Sequence, residues 1–313
     1  MNETRITTIH LLGFQTHQII NCLIFIFLFL IYCVTICGNL LIIKLVAYSK
    51  SLHSPMYFFL TQLAVSDILM ATDIGPNSFH VLMFKETIIP FSGCMAQFFF
   101  FAVVETVECC LLTVMSYDRY LAICKPLHYT LIMSHHFCWL LVAICWILCI
   151  ILTLIYTINI IKLQFCGPNV IDHYYCDLDP ILQLSCSDVT IVQQGLRLFS
   201  ALFLMFLFFV MIVSYIYIIT AIFKIPSDLS KQKAFSTCSS HLIVVCTYFT
   251  SLICVYVVPS RRESANISKF LSLLYTAGNP LMNPIIYSLR NNDLRQVVRK
   301  LINKLISLHY NRN

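Results

Sequence analysis

Charge is what this sequence has least of. Of its 313 residues only 11% are Asp, Glu, Lys or Arg, while 59% are hydrophobic. An ordinary soluble domain carries about 25% charged and about 45–50% apolar residues. A water-soluble globular chain is therefore excluded, and much of this surface must face lipid. Glycine is scarce too, with 7 residues and no cluster, which leaves no GxGxxG or GxxxxGK loop to cradle a phosphate. CxxC, HExxH and GxSxG are all missing, and with them the metal sites and the hydrolase nucleophile those motifs would supply. The two halves show neither the internal repeat nor the paired broken helices of a secondary transporter.

What is present is a succession of long apolar runs. Ile19–Ile43, Phe137–Ile161, Leu198–Phe223, Leu242–Val258 and Phe270–Leu289 contain no charged residue, and about 18 such residues suffice to span a bilayer. Two more runs, Met56–Met83 and Ile88–Ile123, are apolar but interrupted by acids. The pattern predicts an all-α membrane protein, a single domain over 1–313 with seven spans at about 19–46, 56–83, 88–123, 137–161, 191–223, 234–258 and 267–289. Residues 1–18 precede the spans. After them, Leu294, Val297, Val298, Leu301 and Leu305 recur at helical spacing among Arg295, Arg299, Lys300 and Lys304. That is the pattern of a basic amphipathic helix lying on a membrane surface, within 291–308.

Basic residues set the orientation. With the amino terminus outside, thirteen of the 20 Lys and Arg residues fall on the inner side, as positive-inside topology requires. The net charge of +6 is then accounted for by anionic inner-leaflet lipid, and no nucleic-acid partner is needed. Asn2-Glu3-Thr4 becomes an N-glycosylation acceptor on the correct side. Cys94, Cys166, Cys176 and Cys186 also fall outside, and four cysteines permit three pairings.

Ionisable residues inside spans cost at least roughly 2.5–3.5 kcal/mol each and so mark function. Asp67, Asp73, Glu105 and Glu108 are such residues. Asn39, Asp67, Glu108 and Asn283 lie at comparable depth near mid-helix. If they converge, two carboxylates in low dielectric must hold a proton or a cation between them. Along span three, Phe101, Glu105, Glu108 and Leu112 share one inward face. That face points into an apolar cavity between helices, the natural ligand site. At the inner end of the same span, Asp118 and Arg119 are helical neighbours about 100° apart and face each other poorly. A guanidinium held that weakly is poised for capture by another partner. Pro280 and Pro284 remove backbone donors from span seven and should distort it.

Five segments, in order and at matching spacing, resemble the vertebrate olfactory receptors, a branch of the rhodopsin-like G-protein-coupled receptors. They are Gly38-Asn39, LHSPMYFFL (52–60), MSYDRYLAICKPLHY (115–129), KAFSTCSSH (233–241) and PLMNPIIYSLRN (280–291). The loop 165–188 resembles the long second outer loop of that family. The resemblance implies the pairings Cys94–Cys176 and Cys166–Cys186. It implies a switch of Asp118, Arg119 and Tyr120 with Tyr215 and Tyr287, and a sodium-and-water cluster at Asn39, Asp67, Glu108 and Asn283 as the one cofactor. It adds Ala102, Thr106, Phe199, Phe203, Phe249, Leu252, Ile253, Tyr256 and Thr276 to Phe101 and Glu105 as the ligand set. The function implied is not enzymatic. A small, mostly apolar odorant binds among spans 3, 5, 6 and 7, and a stimulatory heterotrimeric G protein is activated to raise cyclic AMP. The setting is the plasma membrane, of sensory cilia for an olfactory chain. Two departures stand out. Tyr248-Phe249-Thr250 replaces the family's Phe-Tyr-Gly, and Glu105 occupies a position where a small residue is expected.

Overall fold

The computed structural model describes residues 6–166, 168–257, 265–291, 294–300 and 303, with side chains left undescribed at 233, 236, 237, 253–257, 265–268 and 289–290. Long helices dominate: α1 (Gln18–Tyr48), α2 (Pro55–Phe84), α3 (Phe91–Cys124), α5 (His135–Ile161), α7 (Thr190–Phe223) and α8 (Asp228–Val257). A seventh span is assembled from α9 (Ala265–Leu273), a π turn (Leu274–Gly278) and α10 (Asn279–Arg290). The arrangement is a seven-helix membrane bundle. Helices are what lipid demands, because each satisfies its own backbone donors and acceptors.

Local chemistry sets the helix ends. Pro55 occupies the first turn of α2, where its missing N–H costs nothing. The Ser134 hydroxyl caps α5 by accepting from the Phe137 amide at 3.3 Å. α2 stops at Lys85, which adopts φ 65°. Within the spans, buried hydroxyls bond back to their own helix, as Ser78 does to Ile74 O (2.8 Å), Thr113 to Cys109 O (2.9 Å) and Thr157 to Thr153 O (2.9 Å). The buried hydroxyls of Thr35 and Ser116 have no hydrogen-bond partner.

α3 is the central post, with 67% of its most apolar stretch buried against 17% for α1. α1 meets the seventh span at Gly38. A Cβ there would lie 3.0 Å from Pro284 Cβ, so the close approach requires glycine.

The face bearing the amino terminus carries a three-stranded sheet in the order β2-β1-β3. β1 (Thr8–Leu12) lies antiparallel to β2 (Glu86–Pro90) and parallel to β3 (Val170–Ile171). Residues 88–90, read from the sequence as the start of span three, belong to β2, and α3 begins after Pro90. Proline φ geometry and extended ψ (−66°, 148°) at Pro90 hold that residue out of the helix. Between α5 and α7 runs the long loop containing β3 and the short α6 (Leu178–Leu182). On the opposite face, the connection between α3 and α5 forms a short helix, α4 (Pro126–Ile132). Residues 294–300 are helical, with Leu294 and Val297 buried and Arg295, Arg299 and Lys300 exposed.

Candidate functional site

The mid-bundle acids and amides meet. Asn283 donates its side-chain amide to both Asp67 oxygens, at 2.9 and 3.1 Å. Asn39 donates to the carbonyls of Thr35 (3.1 Å) and Pro280 (3.3 Å). Glu108 is within electrostatic reach of both Asp67 and Glu105. All four members of the predicted cluster are buried, and Asn39 Oδ1 and Glu108 Oε1 accept no hydrogen bond. Unmet buried acceptors are costly, and this centre holds two of them.

One turn closer to the amino-terminal face, Glu105 stands in an aromatic enclosure. The Phe101 ring is edge-on to Tyr175 (5.2 Å) and Tyr275 (6.2 Å), and Tyr275 is 6.1 Å from Tyr248. The Tyr275 hydroxyl faces the Glu105 carboxyl, and the Tyr248 hydroxyl donates to the Glu105 backbone carbonyl at 2.9 Å. Phe249 points away from this group onto Phe208, at 4.9 Å. Leu252 is buried in the same core, and Phe203 packs against it. The Thr106 hydroxyl is turned back to Ala102 O (2.7 Å).

Three predicted ligand residues stand elsewhere. Phe199 is 43% exposed and lies against Tyr156 (5.6 Å) and Phe203 (6.4 Å), toward span four. Ala102 packs in the smaller core beneath the sheet, which also includes Tyr156. Thr276 faces Tyr174, whose hydroxyl is 3.2 Å away. The side chains of Ile253 and Tyr256, and all of Asn2, lie outside the described residues.

The long loop closes over this region. Cys94 is joined to Cys176 and Cys166 to Cys186. The amide of Cys176 donates to Gln97 Oε1 at 3.0 Å, which seats the loop on α3. Buried Lys269 donates to Gly13 O (3.1 Å) and Asp172 Oδ1 (2.5 Å) and ties the amino-terminal segment, the loop and span seven together. Burial, aided by the Lys269 charge, pulls the His173 pKa down to about 3, so that ring stays neutral at physiological pH. Burial pushes Asp177, which caps α6 by accepting from the Leu178 amide (2.7 Å), up to about 6.

At the far end of α3, Arg119 curls back onto Asp118. Its Nε donates to Asp118 Oδ2 at 2.9 Å and its Nη2 to the same oxygen. Tyr129 of α4 donates to the other oxygen, Oδ1, at 2.8 Å. The carboxylate is fully buried and its three donors hold Arg119 at its own helix. Tyr120 instead packs on Tyr117 and Tyr217. The Tyr215 hydroxyl contacts His241 Nδ1 at 2.6 Å. The Tyr287 hydroxyl is buried without a hydrogen-bond partner, and its side chain lines a small cavity with Arg119, His241 and Asn291.

With this geometry in place, comparison with known proteins is informative. A family model described as "Olfactory receptor" matches residues 28–304. The chain belongs to the olfactory receptor family. Among its relatives, Olfactory receptor 13A1 of Homo sapiens is 42% identical over 300 residues, covering 96% of this chain and 92% of that protein. Olfactory receptor 1M1 of Mus musculus is 39% identical, covering 98% of each. Among solved structures, squid rhodopsin superposes with a TM-score of 0.66 at 17% identity, over 94% of this chain and 88% of that one. That likeness extends to the fold. As an olfactory receptor, the protein is a multi-pass membrane signalling receptor and not an enzyme.

Several parts of this receptor's site escape sequence reading. Tyr129, eleven residues beyond Asp118, gives no spacing signal, because a proline and a turn intervene. Tyr57, which donates to Asn291 Oδ1 at 2.9 Å, is 234 residues from its partner. Tyr175, Tyr248 and Tyr275 read as ordinary aromatics until the fold gathers them around Glu105.

Proposed function

We propose that this receptor binds a small, mostly apolar odorant at the aromatic enclosure of Glu105 and activates a stimulatory heterotrimeric G protein at the opposite face, raising cyclic AMP. The observation that carries the proposal is that one central helix, α3, holds both ends of the device. Glu105 stands among Phe101, Tyr248 and Tyr275, and Arg119 is latched to Asp118 some four turns further on. A ligand that repacks the first end displaces the helix that carries the second. Tyr215 and Tyr287 lie near the latch and are its partners once it opens. The receptor works at the plasma membrane with its amino terminus outside, and its basic terminal helix rests on inner-leaflet lipid. The cilia of sensory cells are the setting proper to its family.

The buried centre is suited to a sodium ion. Two carboxylates and an uncommitted amide oxygen, on Asp67, Glu108 and Asn39, make an all-oxygen donor set for a hard cation. Held there, the ion would neutralise the acids and stabilise the resting bundle.

The test is expression of the full chain in cells with a cyclic AMP reporter and an odorant panel, alongside Arg119→Ala. Agonists should raise cyclic AMP in wild type and not in the variant. A wild-type response from Arg119→Ala at equal surface expression would remove Arg119 from the mechanism.

A further inference from the structure

Glu105 is an acid without a counter-charge. It stands on the inward face of α3, where Tyr248 of span six donates to its backbone carbonyl and Tyr275 of span seven faces its carboxyl. Its helical neighbours Phe101, Val104 and Glu108 are buried, whereas Glu105 is only half-buried. Accessible surface on an inward-facing side chain means that open space lies beside it, inside the bundle.

The charges around that space are of one sign. Glu108 is in electrostatic reach of Glu105, and so is Asp177 of the long loop. Among the described residues no ion pair includes Asp67, Glu105, Glu108 or Asp177. Lys269, the buried base near the start of span seven, is committed to Asp172 and Gly13 O. A sodium ion at Asp67 and Glu108 would answer those two acids and leave Glu105 and Asp177 unanswered. Charge buried without a partner is costly, so a cation is favoured beside Glu105.

The walls suit an organic cation better than a bare one. The rings of Phe101, Tyr175, Tyr248 and Tyr275 form a linked set, with centroids 5.2 to 6.2 Å apart. A hard metal ion wants several oxygen ligands. Here the carboxyl is joined by one uncommitted oxygen, the buried Tyr275 hydroxyl, which makes no hydrogen bond. Aromatic faces attract an ammonium group, and the same rings accept a short alkyl chain.

We infer that the ligand class preferred by this enclosure is a small primary alkylamine, bound as its ammonium ion. The inference rests on the enclosure being the odorant site, as proposed above, and names what that site selects. The ammonium donates to the Glu105 carboxylate and to the Tyr275 hydroxyl oxygen. Its alkyl chain lies against Phe101 and Tyr175. Glu105 thereby determines specificity, because an alcohol of equal length brings no charge to meet it.

The experiment uses the purified full chain in lipid nanodiscs with n-pentylamine, n-pentanol and n-hexane. Binding is read as the ligand-dependent rise in unfolding midpoint, with cyclic AMP in cells measured in parallel. Wild type should bind pentylamine about 10- to 100-fold more tightly than pentanol, the gain from a hydrogen bond between charged partners. Glu105→Gln keeps the shape, removes the charge and should abolish that preference. Tyr275→Phe should weaken pentylamine about 2- to 10-fold, and it tests the site even where Glu105→Gln fails to fold. No pentylamine binding, or equal affinity for amine and alcohol, would overturn the inference; pentanol binding that still depends on Glu105→Ala would leave the enclosure as the odorant site. A preference that survives Glu105→Gln but is lost in Asp67→Asn would also overturn it, by placing the ammonium at the Asp67–Glu108 centre. Affinities for all three probes untouched by both Glu105→Ala and Tyr275→Phe would remove the enclosure itself, and both readings with it.

Discussion

Removing the charge of Asp118 should switch the receptor partly on without ligand. Arg119 is 12% exposed and Asp118 fully buried, so solvent does little to screen their attraction. Asp118 Oδ2 accepts twice from Arg119, and hydrogen bonds to charged groups contribute about 1.5–3 kcal/mol each. Asp118→Asn retains one acceptor, so a net loss of about 2 kcal/mol is expected, a shift of about 30-fold in favour of the unlatched state. If roughly 1% of resting receptors are unlatched, the variant reaches about a quarter. Tyr129→Phe removes one neutral donor from the same carboxylate, for about 1 kcal/mol and about a 5-fold shift. The assay is basal cyclic AMP without odorant, normalised to surface expression. The order Asp118→Asn above Tyr129→Phe above wild type is required. Tyr129→Phe probes the latch even if the unpaired Arg119 of Asp118→Asn harms folding. If both variants reach the surface and signal at the wild-type basal level, the latch does not restrain the receptor.

Three further outcomes are expected. Glu105→Gln keeps a hydrogen-bond donor and Glu105→Ala removes it, so agonists with polar oxygen should survive the first and lose potency in the second, measured as EC50; unchanged potency in both would show that Glu105 does not touch ligand. Gly38→Ala drives a methyl against Pro284 and should destabilise the bundle by about 1–3 kcal/mol, read as a lower midpoint in thermal unfolding of purified receptor. The Asp177 carboxyl titrates near 6 in the folded loop against 3.8 ordinarily. The folded state therefore binds its proton more tightly, and stability falls as pH rises from about 4 to about 6. Asp177→Asn, still able to cap α6, should match wild type at pH 4 and exceed its unfolding midpoint at pH 7; a constant difference across that range would refute the account.

The spans and the inward acids were legible because they depend on short-range rules. Charge-free length marks a helix in lipid, and helical spacing puts Phe101, Glu105 and Glu108 on one face. The adjacency of Asp118 and Arg119 was visible for the same reason. What the spacing rules miss is rotation and long-range closure. Phe199 turns toward Tyr156 because the rotation of α7 depends on neighbours, and resemblance alone placed it in the ligand set. The π turn at 274–278 carries no local signature, although Pro280 and Pro284 pointed to distortion nearby. Residues 88–90 are as apolar as the helix that follows them. Only pairing with β1, 78 to 82 residues back in the chain, makes them a strand.

That pairing also has a bearing on how the receptor is made. β1 is the middle strand of its sheet, yet it leaves the ribosome before either neighbour. β2 emerges after two spans and β3 only after four. During synthesis the amino-terminal segment must therefore wait, unpaired, until most of the bundle has been threaded. Cys94 waits equally long for Cys176. The cap that finishes the sheet-bearing face is thus a record of completed insertion. A chain stalled before its fourth crossing would present a bare strand and a free thiol, two features by which the secretory machinery could retain it.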